Sequence, residues 1–520
     1  MHSTKDEVLP AEGILSEKPL PNAMESEQGE SAQSGFALPA LSTLLGALLA
    51  GCPNNEPGPD PIPDSGRPPA LPANLRRLVA RTTYGVGGDE VQRALDLGYE
   101  GFLEYQLAYE AIDDSALNAK LAPLTTLRAT PKERLEAISR EDFSSVEEFL
   151  TATLLRGAYS KRQLYERMVE FWSDHFNIYF PSDTQLVLKP LDDLEVVRPH
   201  ALGRFPDLLS QSAKSPAMLI YLDNASSRLG APNENYAREL MELHTLGVDQ
   251  FTQEDVKEVA RAFTGWSING EFNDADFGRF RFYPPLHDRG EKTILGHRLA
   301  PNGGMSDGEQ VLALLSTDPD IASSTAHFIG RKLAVRFWGD TPPDALVEEI
   351  AAAYVQTNGD IKAMLRVVLR EDWLMQAPPK LKRPYHYALS SLRAIPSDLR
   401  DAPLFAALLQ TMEHLPFHWA PPNGYPDTAG YWGNYLMPRW TYGLWLVYQQ
   451  GAIDLALAPF LSAESDAVFL DEVDARLFHY GQPEGHRAAL ADFLAGAPDN
   501  FFRRLEALSM ALSSADFQWH

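Results

Sequence analysis

NENYARELMELHTLGV, residues 233–248, sets two asparagines, three glutamates, an arginine and a histidine among apolar residues. The apolar positions recur at three- and four-residue spacing, which predicts an amphipathic helix. Asn233, following Pro232, is a good N-cap. Gly247 is a good C′ residue, with Val248 placed to touch Leu243. At about 100° per residue, Asn235, Arg238, Glu239 and Glu242 share one face. Tyr236, Ala237, Leu240 and Leu243 lie on the other, and His244 falls roughly opposite the two glutamates. Polar groups this dense are costly to bury unless they are bonded. The segment is therefore either a hydrogen-bond network or a site.

Glu239 and Glu242 have the three-residue spacing that two ligands on one helix require. Carboxylates suit hard cations, or iron and manganese outside a haem. The same helix also offers Glu234 with Arg238, and Arg238 with Glu242, as opposite charges four apart. A solvated ladder of ion pairs gives that pattern equally well. Arg238 beside two acids points to neutralisation by arginine rather than by metal. His244, on the apolar side, reads as a hydrogen-bonded core histidine.

Three polar clusters flank this helix. FWSDHFN (171–177) carries His175 near a helix end, and YLDNASS (221–227) carries Asp223 and Asn224 after an apolar run. LHDRGEK (286–292) carries His287 and Asp288 in a turn. The default roles are a packed histidine, a helix terminus and a turn. A second role is open to them together. Glu239, Glu242, His175 and His287 make a plausible mixed nitrogen and oxygen shell for a divalent metal. Asp223, Asn224, Asn233, Glu234, Asn235 and Arg238 would form the polar centre around it. Two functions are thus expected: a metal-dependent hydrolytic enzyme using metal-bound water, or a non-catalytic binding or assembly protein whose polar residues form a buried network.

Outward from the centre, helical patterns dominate. LRRLVARTTYG (75–85) ends at a glycine, and residues 89–110 read as two helices broken at Gly98. Residues 151–180 read as one long amphipathic run, and 206–224 breaks at Pro216. Thr252 and Asp255 form a near capping box for a helix over 252–265. GRFRFYP and EKTILGH, flanking PLHDRG, predict a hairpin. Helical patterns resume from about 306, interrupted by the Pro-, Gly- and aromatic-rich loop PPNGYPDTAGYWGN (421–434). The fold class expected is mostly α: a multi-helix composite domain with a small β-hairpin near 278–297.

Acids outnumber bases 71 to 45, for a net charge of −26. That argues against broad electrostatic binding of nucleic acid or anionic lipid, which needs clustered Lys and Arg, and leaves only a local basic groove open. The two central helices resemble a helix-turn-helix, but Glu254, Asp255 and Glu258 on the second oppose DNA reading. No G-x-S-x-G, H-E-x-x-H or P-loop sequence is present. Cys52 is the only cysteine, so intramolecular disulfides and multi-cysteine metal sites are excluded.

The context of Cys52 is specific. FALPALSTLLGALLAG (36–51) is an apolar h-region ending in small residues, and Leu49-Ala50-Gly51-Cys52 resembles a bacterial lipobox. The run is too short to favour a spanning helix. A Pro-rich stretch follows, as a solvated tether would. The expected layout is a lipoprotein signal peptide at 1–51, lipidation at Cys52, a tether over 52–72 and a helical domain over 73–520. That domain is divisible into lobes 73–300 and 301–520. Residues 1–35 disagree, carrying seven acids against Lys5 and Lys18 where a signal peptide has a basic start.

Several stretches together resemble the DUF1800 family. They include RLVARTTYGVGGDEVQRALDLGYEGFLEYQL, FWSDHFNI, SPAMLIYLDNASS, NENYARELMELHTLGV, FTQEDVKEVARAFTGWSI and HDRGEKTILG. Further on come FIGRKLAVRFW, NGDIKAMLRVVLR and SSADFQW. The likeness covers roughly 75–520 and is loosest around HWAPPNGYPDTAGYWGN. It implies a predominantly helical, often exported protein and suggests a DUF1501-family protein as partner; with the lipobox-like stretch, the expected place is the cell envelope. It supplies no catalytic residues.

Overall fold

The computed structural model describes residues 66–520, apart from 183, 435, 449–451 and 498–500. The expected signal peptide, Cys52 and most of the tether lie outside the described residues. The fold is mostly α, with three two-stranded antiparallel sheets among the described residues.

Two hydrophobic cores organise the helices. The first runs from Leu71 to Ala377 and takes in α1 (Ala73–Thr82) and α2 (Gly88–Leu107). Gly98 turns α2 with φ +69°, as its glycine predicts. The second core draws on α3 (Ser144–Tyr159) and on residues from Tyr385 to Phe517. The helices between 305 and 374 pack into the first core, and the later residues of the second core begin at Tyr385.

The run over 151–180 is two helices, α3 and α4 (Gln163–His175). Asp114 breaks it. Its carboxylate accepts from Ser160 Oγ (2.7 Å) and from the Lys161 amide (2.8 Å) at the junction. On α4, Leu164, Met168, Phe171 and Trp172 recur at helical spacing and are buried. Trp172 Nε1 donates to the Ala201 carbonyl at 3.0 Å.

The central helix α5 is Glu234–Glu242, shorter than its sequence pattern. Asn233 caps it by accepting from the Asn235 amide at 2.8 Å. The chain then turns through Gly247 (φ +86°), and Val248 projects into solvent instead of covering Leu243. Helix α6 (Gln253–Ala262) opens with the Thr252–Asp255 capping box. Tyr236 of α5 meets Phe263 at a ring-centroid distance of 5.1 Å.

The strands pair differently from the expected hairpin. β1 (Trp266–Ile268) pairs with β2 (Phe280–Phe282), and β3 (Lys292–Ile294) pairs with β4 (His297–Leu299). EKTILGH is thus a strand and a turn, not one strand. Leu295 and Gly296 hold φ of +50° and +82° between β3 and β4. The Asp255 side chain pins the turn by accepting from the Leu295 amide (2.7 Å).

Helix α7 (Ala322–Phe337) completes the first core, and α8 (Pro384–Ala394) opens the second. Arg81 stitches α1 to the end of α7, donating to the carbonyls of Phe337 (2.9 Å) and Trp338 (3.1 Å). β5 (Ser397–Leu399) pairs with β6 (Ile453–Leu455) in the second lobe. The second lobe also holds α9 (Leu436–Tyr448) and α10 (Phe501–Ser513), packed side by side.

Candidate functional site

The polar face of α5 turns outward. Tyr236, Ala237, Leu240 and Met241 are buried, whereas Asn235 is exposed and Glu234, Arg238, Glu239 and Glu242 are partly exposed. Neither expected ion pair closes. Gln253 of α6 stands between the charges: Arg238 Nη2 donates to its Oε1 (2.6 Å), and its Nε2 donates to Glu234 (2.6 Å). Partial burial, with Glu242 nearby, raises Glu239 above the ordinary carboxylate range.

The asparagines serve the backbone. Asn224 is fully buried and donates to the carbonyls of Phe263 (3.3 Å) and Trp266 (3.1 Å). Asn233 Nδ2 donates to the Asp223 carbonyl (3.1 Å), and Asn235 Nδ2 to that of Leu222 (3.4 Å). Asp223 itself holds φ +61°. The segments 221–227 and 233–235 therefore do meet, through main-chain carbonyls and through the Ser227 hydroxyl, which accepts from the Asn233 amide (3.0 Å).

The two histidines are occupied elsewhere. Lys332 Nζ donates to Nδ1 of His175 (2.9 Å), and Nε2 of His175 donates to the His244 carbonyl (3.1 Å). These partners assign the Nε2–H tautomer and leave no free ring lone pair. Burial, aided by the Lys332 charge, holds His175 well below the usual imidazole range. His287 lies in a different cluster. Its Nδ1 meets the Thr264 carbonyl (2.8 Å), and its Nε2 meets Asp307 (3.1 Å). Lys292 also donates to Asp307 (2.7 Å). Asp288 makes the turn its sequence predicts, accepting from the Gly290 amide (2.8 Å). His175, His287, Glu239 and Glu242 thus do not form one shell. Among the described residues, no group of three or more His, Cys, Asp or Glu side chains is placed to hold a metal ion. His244 is buried as its sequence predicts, yet its Nε2 has no hydrogen-bond partner.

The convergence the sequence leads one to seek around α5 occurs instead along α4. Glu166, Glu170 and Asp174 stand four residues apart on that helix, so they form one row. The row faces the junction of the two cores. Arg383, at the N-cap of α8, reaches both Glu170 and Asp174, the latter at 2.7 Å. Arg336 of α7 approaches Glu170 (3.5 Å), Asp174 (3.2 Å) and Asp427 (2.5 Å). His386 Nε2 donates to Glu170 at 2.8 Å, and Tyr84 Oη does so at 3.0 Å. Lys380 bridges Asp340 (3.0 Å) and Asp427 (3.4 Å). At the other end of the row, Arg198 pairs with Glu166 (3.1 Å) and with Asp193 (2.7 Å).

Both arginines of the cluster are almost fully buried, with 2% of Arg336 and 1% of Arg383 exposed. Charges taken this far from water survive only against partners. Burial opposes the charge on Glu170, but Arg383 and Arg336, with the hydrogen bond from His386, outweigh it and hold the carboxyl well below the ordinary range. At Asp427, burial is likewise outweighed by Arg336 and Lys380. At Asp174 burial wins and the carboxyl is raised, despite Arg383. Burial brings His386 down to about 3, so its imidazole is neutral and donates.

A small cavity lies between the two ends of the row, lined by Tyr84, Glu166, Glu170, Asp174, Tyr385 and His414, among others. It offers about 30 Å³ for water centres, enough for roughly two molecules at 10–15 Å³ each. One wall is the loop after Met412. Gly424 there has φ +73°, and a side chain on it would sit 2.0 Å from the Asp174 carbonyl oxygen. Asn177 holds the same loop by donating to the carbonyls of Trp419 and Pro421, each at 2.8 Å.

Sequence reasoning singled out FWSDHFN and the loop over 421–434, and both border this cluster. It missed Glu170, Arg336, Arg383, His386 and Asp427. The available signal was the four-residue spacing of acids within an aromatic-rich helix.

No curated protein matches the chain, and no solved structure does. The sequence model of one family, described as protein of unknown function (DUF1800), matches residues 77–519. The likeness read from the motifs therefore holds across nearly all of the described fold, and the chain belongs to the DUF1800 family.

Proposed function

We propose that this is a lipid-anchored protein of the cell envelope that works by binding or assembly, its buried charges serving to join two lobes. One observation carries the reading. Each carboxylate of the central cluster already meets an arginine or lysine, and the cavity beside it has room for water only. A carboxylate neutralised by a buried guanidinium or ammonium is a weak base and a poor metal ligand. The lipobox-like Leu49-Ala50-Gly51-Cys52 supports the anchor, and the family resemblance supports a DUF1501-family protein as the partner.

Palmitate labelling of the chain in its own cells tests the anchor. Incorporation is expected for the wild type and none for Cys52→Ser; equal labelling, or none in either, rejects it. Metal analysis of purified protein tests the non-catalytic part. Stoichiometric divalent metal that disappears in Glu239→Ala would favour the hydrolytic alternative. Capture of the chain from solubilised envelopes should bring a DUF1501-family protein with it.

A further inference from the structure

Helix α9 reads LMPRWTYGLWLVY and carries one charge, Arg439. That arginine is buried and donates to the Lys382 carbonyl (2.8 Å), so none of its charge reaches the surface. Tyr442, Gly443, Trp445, Leu446 and Val447 face the core. Leu436, Met437, Trp440 and Leu444 face outward, with Met437 66% and Trp440 50% exposed; the exposed Thr441 among them turns its hydroxyl back to the Met437 carbonyl (3.0 Å). A buried helix is apolar all round, and a surface helix has a polar outer face. α9 is neither.

The apolar face continues onto α10, which runs antiparallel beside it. Ser513 Oγ donates to the Trp440 carbonyl (3.4 Å), and at the opposite end Tyr448 stacks on Phe502 with ring centroids 6.1 Å apart. Phe502 and Met510 are exposed on α10. Glu506, between them, is the one carboxylate in that row. Contiguous apolar surface of this kind marks an interaction site, and tryptophan among aliphatic residues is the composition of a bilayer interface.

The position of the tether selects the occupant. The described chain begins at Gly66. Arg67 pairs with Glu472 (2.8 Å), and Tyr480 donates to the Pro68 carbonyl (2.9 Å). The helix carrying Glu472 packs against α10, where Arg503 pairs with Asp466 (3.0 Å). The chain thus enters the fold on the lobe that carries the apolar face. Cys52 lies fourteen residues before Gly66, a reach of at most about 50 Å at ~3.5 Å per residue. A net charge of −26 repels both a second copy and anionic lipid. Among the described residues no helix is long and apolar enough to cross a membrane.

We propose that the α9–α10 face rests on the zwitterionic bilayer surface that holds the Cys52 anchor; this rests on the anchor reading above. The test uses residues 53–520, which contain both cores but neither the h-region nor the lipid, floated with phosphatidylcholine vesicles. The protein should float. Met437→Ser, Trp440→Ser and Leu444→Ser combined should lower partitioning at least tenfold with an unchanged Tm, since all three side chains are exposed. Phe502→Ser with Met510→Ser should lower it less. Protein that stays with the soluble fraction at every lipid concentration overturns the proposal. So does a dimer that the triple variant converts to monomer, because a second copy would then cover the face. Loss of the anchor reading would appear separately, as absent palmitate labelling with vesicle binding intact.

Discussion

Helices α4 and α5 each carry three acids within nine residues, yet one row is a buried junction and the other a wetted surface. The difference lies in where the countercharges come from. The acids of α4 meet Arg198, Arg336 and Arg383, two of them more than 160 positions away in the chain. Those of α5 meet water and one glutamine on the next helix. Local polar density therefore says little about burial. The tertiary fold decides it, by delivering or withholding an opposite charge.

The largest expected effect tests this contrast directly. Glu170→Ala leaves Arg383 and His386 facing an empty place, and removing one partner of a buried pair costs about 3–5 kcal/mol. Glu242→Ala, on the partly exposed face, should change stability by less than about 0.5 kcal/mol. Urea unfolding of the two variants checks it. Equal losses would erase the distinction between the helices.

The pH dependence should be next in size. His175, His244, His386 and His414 are buried and held below the usual imidazole range, His244 and His386 at about 3, with burial as the first cause. In the unfolded chain each titrates near ~6.5. Between about 6.5 and the folded value, the unfolded state binds more protons, so stability rises with pH. The contribution of these histidines should be level above about pH 7 and fall as pH drops below about 6.5, by ~1.4 kcal/mol per pH unit for each. His244→Gln should remove about one proton from that slope. His327 pairs with Glu348 on the surface and is raised by its contacts with the Ser323 carbonyl and Glu348. Its replacement should not flatten the slope. An unchanged slope in His244→Gln would mean that this imidazole is not protonated on unfolding in that window.

What the sequence made legible was local. The Thr252–Asp255 box, the turn at Gly98 and the break at Pro216 each depend on residues within a few positions, and each lies where its signal points. The break at Ser160 did not announce itself, because the group that makes it is Asp114, 46 positions earlier. The strand partners were misjudged for a similar reason. β2 lies across from β1, and the turn at Leu295 is held by the Asp255 side chain. The candidate site shows the same limit more sharply. Glu170 stands within a stretch correctly read as amphipathic, but a row of acids looks like a solvated face until Arg336 and Arg383 are in place. His175 drew notice for its neighbours, and its hydrogen bonds turn out to run to Lys332 and to the chain beyond α5.

The smallest expected effect concerns the relay on α5. Glu234, Gln253 and Arg238 form a chain of two hydrogen bonds, each 2.6 Å long, at the protein surface. Exposed contacts of this kind contribute about 0–1 kcal/mol, because water replaces them and long side chains lose freedom to hold them. Gln253→Ala should therefore cost under about 1 kcal/mol. The effect should also depend little on the presence of Arg238, since that guanidinium returns to water rather than to an empty interior. A double-mutant cycle measures this, with an expected coupling of at most a few tenths of a kcal/mol. A coupling of several kcal/mol would place α5 with α4, as a helix whose charges are held away from solvent.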